Sequence, residues 1–271
     1  MTPQADLAAW CFRCERCGTW GSDLPIGIND PDHPLDEPAR EAGLRHVRAR
    51  VGRQVLATVQ DASPPGPRLL DIGSAHGWFV AMAAARGFDA AGIEPDAAVA
   101  GAAVTPTRLG YFPDDVDAGE EFDVITFNDV LEHVPAPRQV VASCRDHLAP
   151  GGILSINIPS SAGLLFGTAV VARRRGRATA LFDRLWQVGL PSPHLWFFDL
   201  AGLSRLCDEE GFDLVAGQRL PTMSWRGLWG RAHMDRSPSP LTVAGVGAAA
   251  LGAPVLNRGG DIMHLVLRRR P

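Results

Sequence analysis

The sequence has no lysine: all 26 of its basic residues are arginine, set against 30 acidic residues for a net charge of −4. Arginine used throughout is a mark of GC-rich coding and says nothing about partners. The small negative balance excludes the basic stripe of a nucleic-acid binder. Cysteine is scarce. Five residues, an odd number with three at positions 11, 14 and 17, do not make a disulfide framework; reduced thiols fit better. Long hydrophobic runs are missing as well. The most apolar stretch, 241–256, is rich in Ala and Gly, broken by Pro254 and shorter than the ~20 residues of a membrane-spanning helix. The opening MTPQADLAAW puts Asp6 where a secretion signal needs positive charge and has no apolar segment before Cys11, so a cytoplasmic location is expected.

What is present is an alternation of element types. Residues 1–38 read as a small Cys-containing knuckle with an irregular connection, and 39–271 as the main domain. Leu44, Val47, Val51, Val55 and Val59 recur at helical spacing, and SPPGP (63–67) stops that helix. RLLDI (68–72) is a strand, GWFVAMAAA (77–85) a helix ending before Gly87, and FDAAGIE (88–94) a strand, with Pro95 placed to open the next helix. A weak strand is expected near Arg108 and a clear one at FDVITF (122–127). These are followed by a helix at 137–148 and the strand ILSINI (153–158). Regularity then fails until a helix begins after Asp199, and FDLVAG (212–217) and DIMHLVLRR (261–269) close the pattern. Two insertions remain, 160–193 and 221–260. Strand and helix alternating in this way indicate a parallel sheet covered on both faces, with ligands bound at the carboxyl ends of its strands.

The first strand runs into LLDIGSAHGWF (69–79), where small residues stand at 73, 75 and 77 straight after Asp71. Small residues in a strand-to-helix turn let a ligand approach the backbone. The NAD fingerprint G-x-G-x-x-G is one residue longer, and a carboxylate inside the turn would repel a pyrophosphate. A ligand with a positive end reverses the sign. Glu94, ending the next strand, sits where a carboxylate accepts hydrogen bonds from ribose hydroxyls.

The blocks LDIGSAHGWF, AGIEPD, FDVITFNDVLEHVPAP, HLAPGGILSINIP and PHLWFFDLAGLSRLCDEEGFDLV, in this order, resemble the class I S-adenosylmethionine-dependent methyltransferases, in their ubiquinone-biosynthesis-like branch (type 23 or 12). The resemblance covers about residues 65–217 and the final strand. It implies an α/β, doubly wound, Rossmann-like fold with a seven-stranded sheet of order 3-2-1-4-5-7-6, the last strand antiparallel. It also implies S-adenosyl-L-methionine as cofactor and a small-molecule methyl acceptor. Carried over by position, Asp71, Gly73 and Gly77 match the cofactor loop, Glu94 the ribose carboxylate, and Asn128 with Asp129 the border of the methionine moiety. Ala75 stands where glycine is usual, and Asp114 or Asp115 is expected near adenine.

Methyl transfer needs alignment of the acceptor and a base for its proton, which makes His194 and His133 the catalytic candidates. In some relatives the stretch holding Asp129, Glu132 and His133 resembles a divalent-metal site; the bland alternative has His133 packed under its loop and Glu132 capping the helix that begins near Pro137. The aromatics Trp196, Phe197 and Phe198 either wall the acceptor pocket or fill the core. Cys11, Cys14 and Cys17 have the spacing of a partial zinc knuckle, with His33 as a conceivable fourth ligand. Apolar segments beside RRRGR (173–177) and in SWRGLWGR (224–231) would suit a lid that leans on an anionic membrane surface. The reading is methyl transfer to a hydroxyl of a lipid- or quinone-like, sugar or natural-product acceptor. A non-catalytic scaffold of the same fold and an NAD-dependent oxidoreductase stay open as alternatives.

Overall fold

The computed structural model describes residues 1–28, 37–177, 179–220 and 260–271, with the side chains of the first long helix described from Arg45 onward. Most of the second insertion, including SWRGLWGR, and His33 lie outside the described residues. Among the described residues no helix is long and apolar enough to cross a membrane.

The main sheet is built from β4 (Arg68–Ile72), β5 (Asp89–Glu94), β6 (Thr107–Leu109), β7 (Phe122–Asn128), β8 (Leu148–Pro159), β10 (Phe212–Leu220) and β11 (Ile262–Arg269). Its order is β6-β5-β4-β7-β8-β11-β10, with β11 antiparallel to both neighbours and the other pairings parallel. In chain order this is the expected 3-2-1-4-5-7-6. Alternate residues of each strand feed two apolar layers, as the two-residue side-chain period requires. One face carries Leu70, Ile125, Leu154 and Leu265 against α4 (Pro137–His147) and α7 (Leu200–Glu209). The other carries Leu69, Val124, Ile153 and Val266 against Val51, Val55 and Val59 of α1 (Glu37–Ala62) and against Phe79 of α2 (Trp78–Ala84). Each fully buried side chain of this size contributes roughly 1.5–3 kcal/mol, so the valine stripe holds α1 to the sheet.

Two local expectations shift. The helix after β5 is only α3 (Ala97–Gly101), opened not by Pro95 but by Asp96, whose Oδ1 accepts the amides of Ala98 and Val99 at 2.9 and 3.1 Å. The stretch 160–198 is not irregular either. It forms α5 (Leu164–Arg174), α6 (Thr179–Leu185) and the short strand β9 (Trp196–Phe197).

These elements join the N-terminus in a second lobe. Strands β1 (Thr2–Pro3), β2 (Cys11–Arg13) and β3 (Trp20–Ser22) pair antiparallel, and β9 completes a four-stranded sheet beside β3. Trp20, Phe166, Phe182, Trp186 and Phe197 form its core, with Trp10 stacked on Phe182 at 5.7 Å. Two arginines of the insertion serve this contact: Arg173 donates to the Leu7 carbonyl and pairs with Asp183, and Arg174 pairs with Asp6. Phe197 belongs to the lobe core and Phe198 to the main core, and none of these aromatics lines the main crevice, although Phe197 lines a smaller cavity beside it.

Candidate active site

A crevice of about 1070 Å³ opens at the carboxyl ends of the parallel strands. Its floor is the turn after β4. Gly73, Ala75 and Gly77 all have positive φ (66°, 47° and 76°), which explains small residues at every second position. A side chain at Gly73 would also place its Cβ 2.6 Å from Val130. Ala75 is therefore a conformational departure as well as an added methyl, since left-handed backbone costs an L-residue about 1–2 kcal/mol. Its amide donates to Glu94 Oε2 at 2.9 Å, while Asp96 donates to Oε1 at 3.0 Å, so Glu94 ties the turn to the next strand.

Asp71 is buried at the end of β4. Its Oδ1 accepts Thr126 Oγ1–H at 2.6 Å and the Asn128 amide at 2.9 Å, and the residue lines the crevice. Burial pushes its pKa up to about 7 against the pull of these two donors, with Glu94 adding to the rise. Burial likewise raises Glu94. Two carboxylates in one apolar cleft fit a cofactor that carries an ammonium and a sulfonium and no phosphate. Asn128 and Asp129 line the same wall, as does Asp114, whereas Asp115 accepts the Tyr111 amide at 2.7 Å and braces that loop. Thr126 was not among the expected site residues. A lone hydroxyl residue in the middle of FDVITF, directly opposite Asp71 across the parallel pairing, is the signal that would have found it.

Beside the crevice lies a smaller cavity of about 240 Å³, sharing Val47, Arg48, Asp129, His133, Gln187 and Ile262 with it. Here the 3-10 turn Leu131–His133 meets the segment before β9. Glu132 is wholly buried, both carboxylate oxygens lack a hydrogen-bond partner, and Oε1 lies 3.9 Å from His133 Nε2 and 4.0 Å from His194 Nε2. Burial, then Asp129, raises its pKa well above the usual carboxylate range. The two imidazoles meet edge to face at 4.7 Å. Glu132 therefore does not cap α4, whose N-terminus has no side-chain cap.

Among the described residues, Glu132, His133 and His194 form the one set of three or more such groups whose ligand atoms converge, within 4.8 Å of one another. Two imidazoles and an unsatisfied buried carboxylate fit a divalent cation, because an isolated buried carboxylate is costly without one. The cysteines do not gather in this way. Cys11 is sealed in the lobe core, where burial pushes its pKa up to about 12. Cys14 is lowered by the Cys17 amide first, then the Cys17 thiol and the Arg16 amide. The spacing expected of a three-thiolate zinc knuckle thus yields two neighbouring thiols and a third turned inward.

A model of the methyltransferase domain family matches residues 44–216. The chain belongs to the class I S-adenosylmethionine-dependent methyltransferases. A ubiquinone biosynthesis O-methyltransferase of Mesorhizobium japonicum is 33% identical over 177 residues, covering 59% of this methyltransferase and 69% of that protein. One of Dinoroseobacter shibae is 28% identical over 238 residues, covering 81% and 88%. The fold is shared with a putative sarcosine dimethylglycine methyltransferase from Galdieria sulphuraria (TM-score 0.57, 16% identity, 88% and 93% coverage). It is shared equally with the cyclopropane synthase MmaA2 of Mycobacterium tuberculosis (TM-score 0.57, 17% identity, 88% and 89%).

Proposed function

We propose that this methyltransferase moves a methyl group from S-adenosylmethionine to a hydroxyl of a largely apolar small molecule. Asp71, Gly73, Ala75, Gly77, Glu94, Asn128 and Asp129 hold the cofactor: Asp71 Oδ2 receives the ammonium, and the remaining lone pairs of Glu94 receive the ribose hydroxyls. The observation that carries the reading is the adjoining polar cavity, whose groups Asp129 and His133 also face the cofactor crevice. One ligand of drug size occupies ~300–1,000 Å³. The crevice and cavity together hold a donor and an acceptor end to end.

The acceptor's body lies against Ile26, Ile28, Val47 and Leu190, and its hydroxyl reaches the polar cavity. The hydroxyl proton passes to the basic groups there, the oxygen forms a bond to the methyl carbon as the carbon–sulfur bond breaks, and the neutral thioether S-adenosylhomocysteine leaves. A divalent cation, when bound at Glu132 and His133, supplies Lewis acidity that makes the hydroxyl easier to ionise. The names of the curated relatives support a hydroxyl acceptor of quinone type.

Calorimetric titration with S-adenosylmethionine, followed by mass spectrometry of a panel of phenolic, sugar and lipid hydroxyl compounds for a one-methyl gain, tests the reading. Binding without methylation of any hydroxyl compound, alongside methylation of amines or carbon acids, would overturn it.

A further inference from the structure

The turn between β2 and β3 carries Cys14 and Cys17, two of the chain's five cysteines, and the function proposed above uses neither. We propose that this pair is a redox-modification site: Cys14 and Cys17 close to an intrachain disulfide when the protein meets a low-molecular-weight disulfide such as oxidised glutathione, and open again when it meets a thiol. The inference does not depend on which acceptor is methylated.

The residues Cys14 to Thr19 build the site locally. The Cys14 amide donates to the Thr19 carbonyl at 2.8 Å and the Gly18 amide donates to the Cys14 carbonyl at 2.9 Å, so the hairpin is closed around both cysteines before any sulfur–sulfur bond forms. Gly18 completes that closure with φ 76°, a conformation that a side chain would strain. Inside the loop the Cys14 sulfur accepts the amides of Cys17 and Arg16 and the Cys17 thiol, which brings the two sulfurs within hydrogen-bond reach of each other. The Cys17 sulfur also lies 3.2 Å from Thr19 Oγ1. Donors gathered on Cys14 favour its thiolate, the form that attacks a disulfide. Joining two residues that the backbone already holds at this range costs little further chain entropy.

The surroundings select this pair and this chemistry. Cys11 is sealed in the lobe core, and Cys144 and Cys207 lie inside the main core, where burial raises each thiol. A buried, protonated thiol is inert to exchange, whereas Cys14 and Cys17 are half-buried. A structural zinc ion needs four ligands, and among the described residues no third histidine, cysteine or carboxylate converges on these two sulfurs. The exchange balances in two steps. The Cys14 thiolate attacks one sulfur of oxidised glutathione, whose sulfur–sulfur bond breaks and releases one glutathione thiolate. Cys17 gives its proton to solvent and attacks the Cys14 sulfur, and the second glutathione leaves. Two protein thiols are oxidised, and one small disulfide is reduced to two thiols.

The test uses the full chain, reduced and freed of reductant, held in glutathione buffers of rising oxidised fraction, quenched in acid, alkylated with N-ethylmaleimide and read by intact and peptide mass. The wild type is expected to lose one hydrogen from each of Cys14 and Cys17 and to keep no glutathione, and dithiothreitol should restore both thiols. When the reduced native chain is alkylated at neutral pH, Cys14 should react roughly tenfold faster than Cys17, and the other three cysteines only after unfolding. Cys17→Ser should trap glutathione on Cys14, with no second thiol to displace it, and Cys14→Ser should take glutathione on Cys17 at least about tenfold more slowly. Circular dichroism and melting curves show whether each variant keeps the fold; should a serine variant misfold, the order of the wild-type labelling rates and the wild-type mass decide. Glutathione retained on the wild type without an internal bond, equal labelling of the two cysteines, or a zinc ion held on both thiols in the protein as purified overturns the inference.

Discussion

The two ends of the crevice treat their carboxylates in opposite ways. At the cofactor end, Asp71 has Thr126 and Asn128, and Glu94 has the amides of Ala75 and Asp96. At the acceptor end, the Glu132 carboxylate oxygens have no hydrogen-bond partner, and Asp261 Oδ2 is buried without one. A satisfied carboxylate is pre-organised and waits for a ligand without moving. An unsatisfied one carries a desolvation cost that only a proton or a cation relieves. Under the proposed function, the donor is thus met by carboxylates that already have partners and the acceptor by one that does not.

The largest effect that would break this contrast is at Asp71. Asp71→Asn keeps the shape and removes the charge, and S-adenosylmethionine affinity should fall roughly fiftyfold, within the ~1.5–3 kcal/mol of a charged hydrogen bond; calorimetry giving an unchanged Kd would place the cation elsewhere. The same residue sets a pH dependence. Its pKa of about 7 in the unliganded chain means that a proton must leave before a cation binds below that pH. Affinity should therefore decline by up to about tenfold per unit as pH falls below 7 and be level above it, and D71N should flatten the profile.

Glu132 predicts the reverse balance between stability and activity. Glu132→Gln removes a buried ionisable group that nothing satisfies, so the variant should unfold at ~1–2 kcal/mol higher free energy in urea while losing methyl transfer. The sign with pH follows from its raised folded pKa: the protonated form is favoured in the fold, so its contribution is complete below the unfolded value near 4.5 and is lost as pH rises through the folded value. The wild type should lose stability over that rise and E132Q should not. The smallest effect is Ala75→Gly, which relieves left-handed strain for about 1 kcal/mol of stability, less the entropy glycine adds to the unfolded chain. A melting temperature below that of the wild type would mean that the Ala75 methyl packs usefully.

The cofactor end was legible because its logic is local. Asp71, Gly73, Gly77 and Glu94 lie within one βαβ unit, and alternation of small residues is a direct imprint of positive φ. The strands were legible for the same reason, each carrying its own apolar run, while their order came from the family resemblance. At the acceptor end Glu132, His133 and His194 were each named, but their convergence was not legible. Glu132 reads as a metal ligand or as a helix cap, and neither reading foretells its full burial, since glutamate is almost never fully buried unless paired. His194 is 62 positions away along a path that includes α6, where Phe182 is the one buried residue and no periodicity can register. Strand β9, two residues long, leaves no pattern either, and its pairing with Trp20 and Gly21 at the far N-terminus is a purely tertiary event.

That pairing carries an evolutionary consequence. Under the proposed function, the donor is gripped by side chains rooted in the sheet, whereas the imidazole of His194 hangs from a scaffold whose aromatic core is made by the first residues of the chain and the insertion. Sequence drift confined to this scaffold re-aims the chemistry toward new acceptors and leaves the grip on the methyl source alone, so a lineage built on this plan can diversify what it modifies without relearning how to bind its reagent.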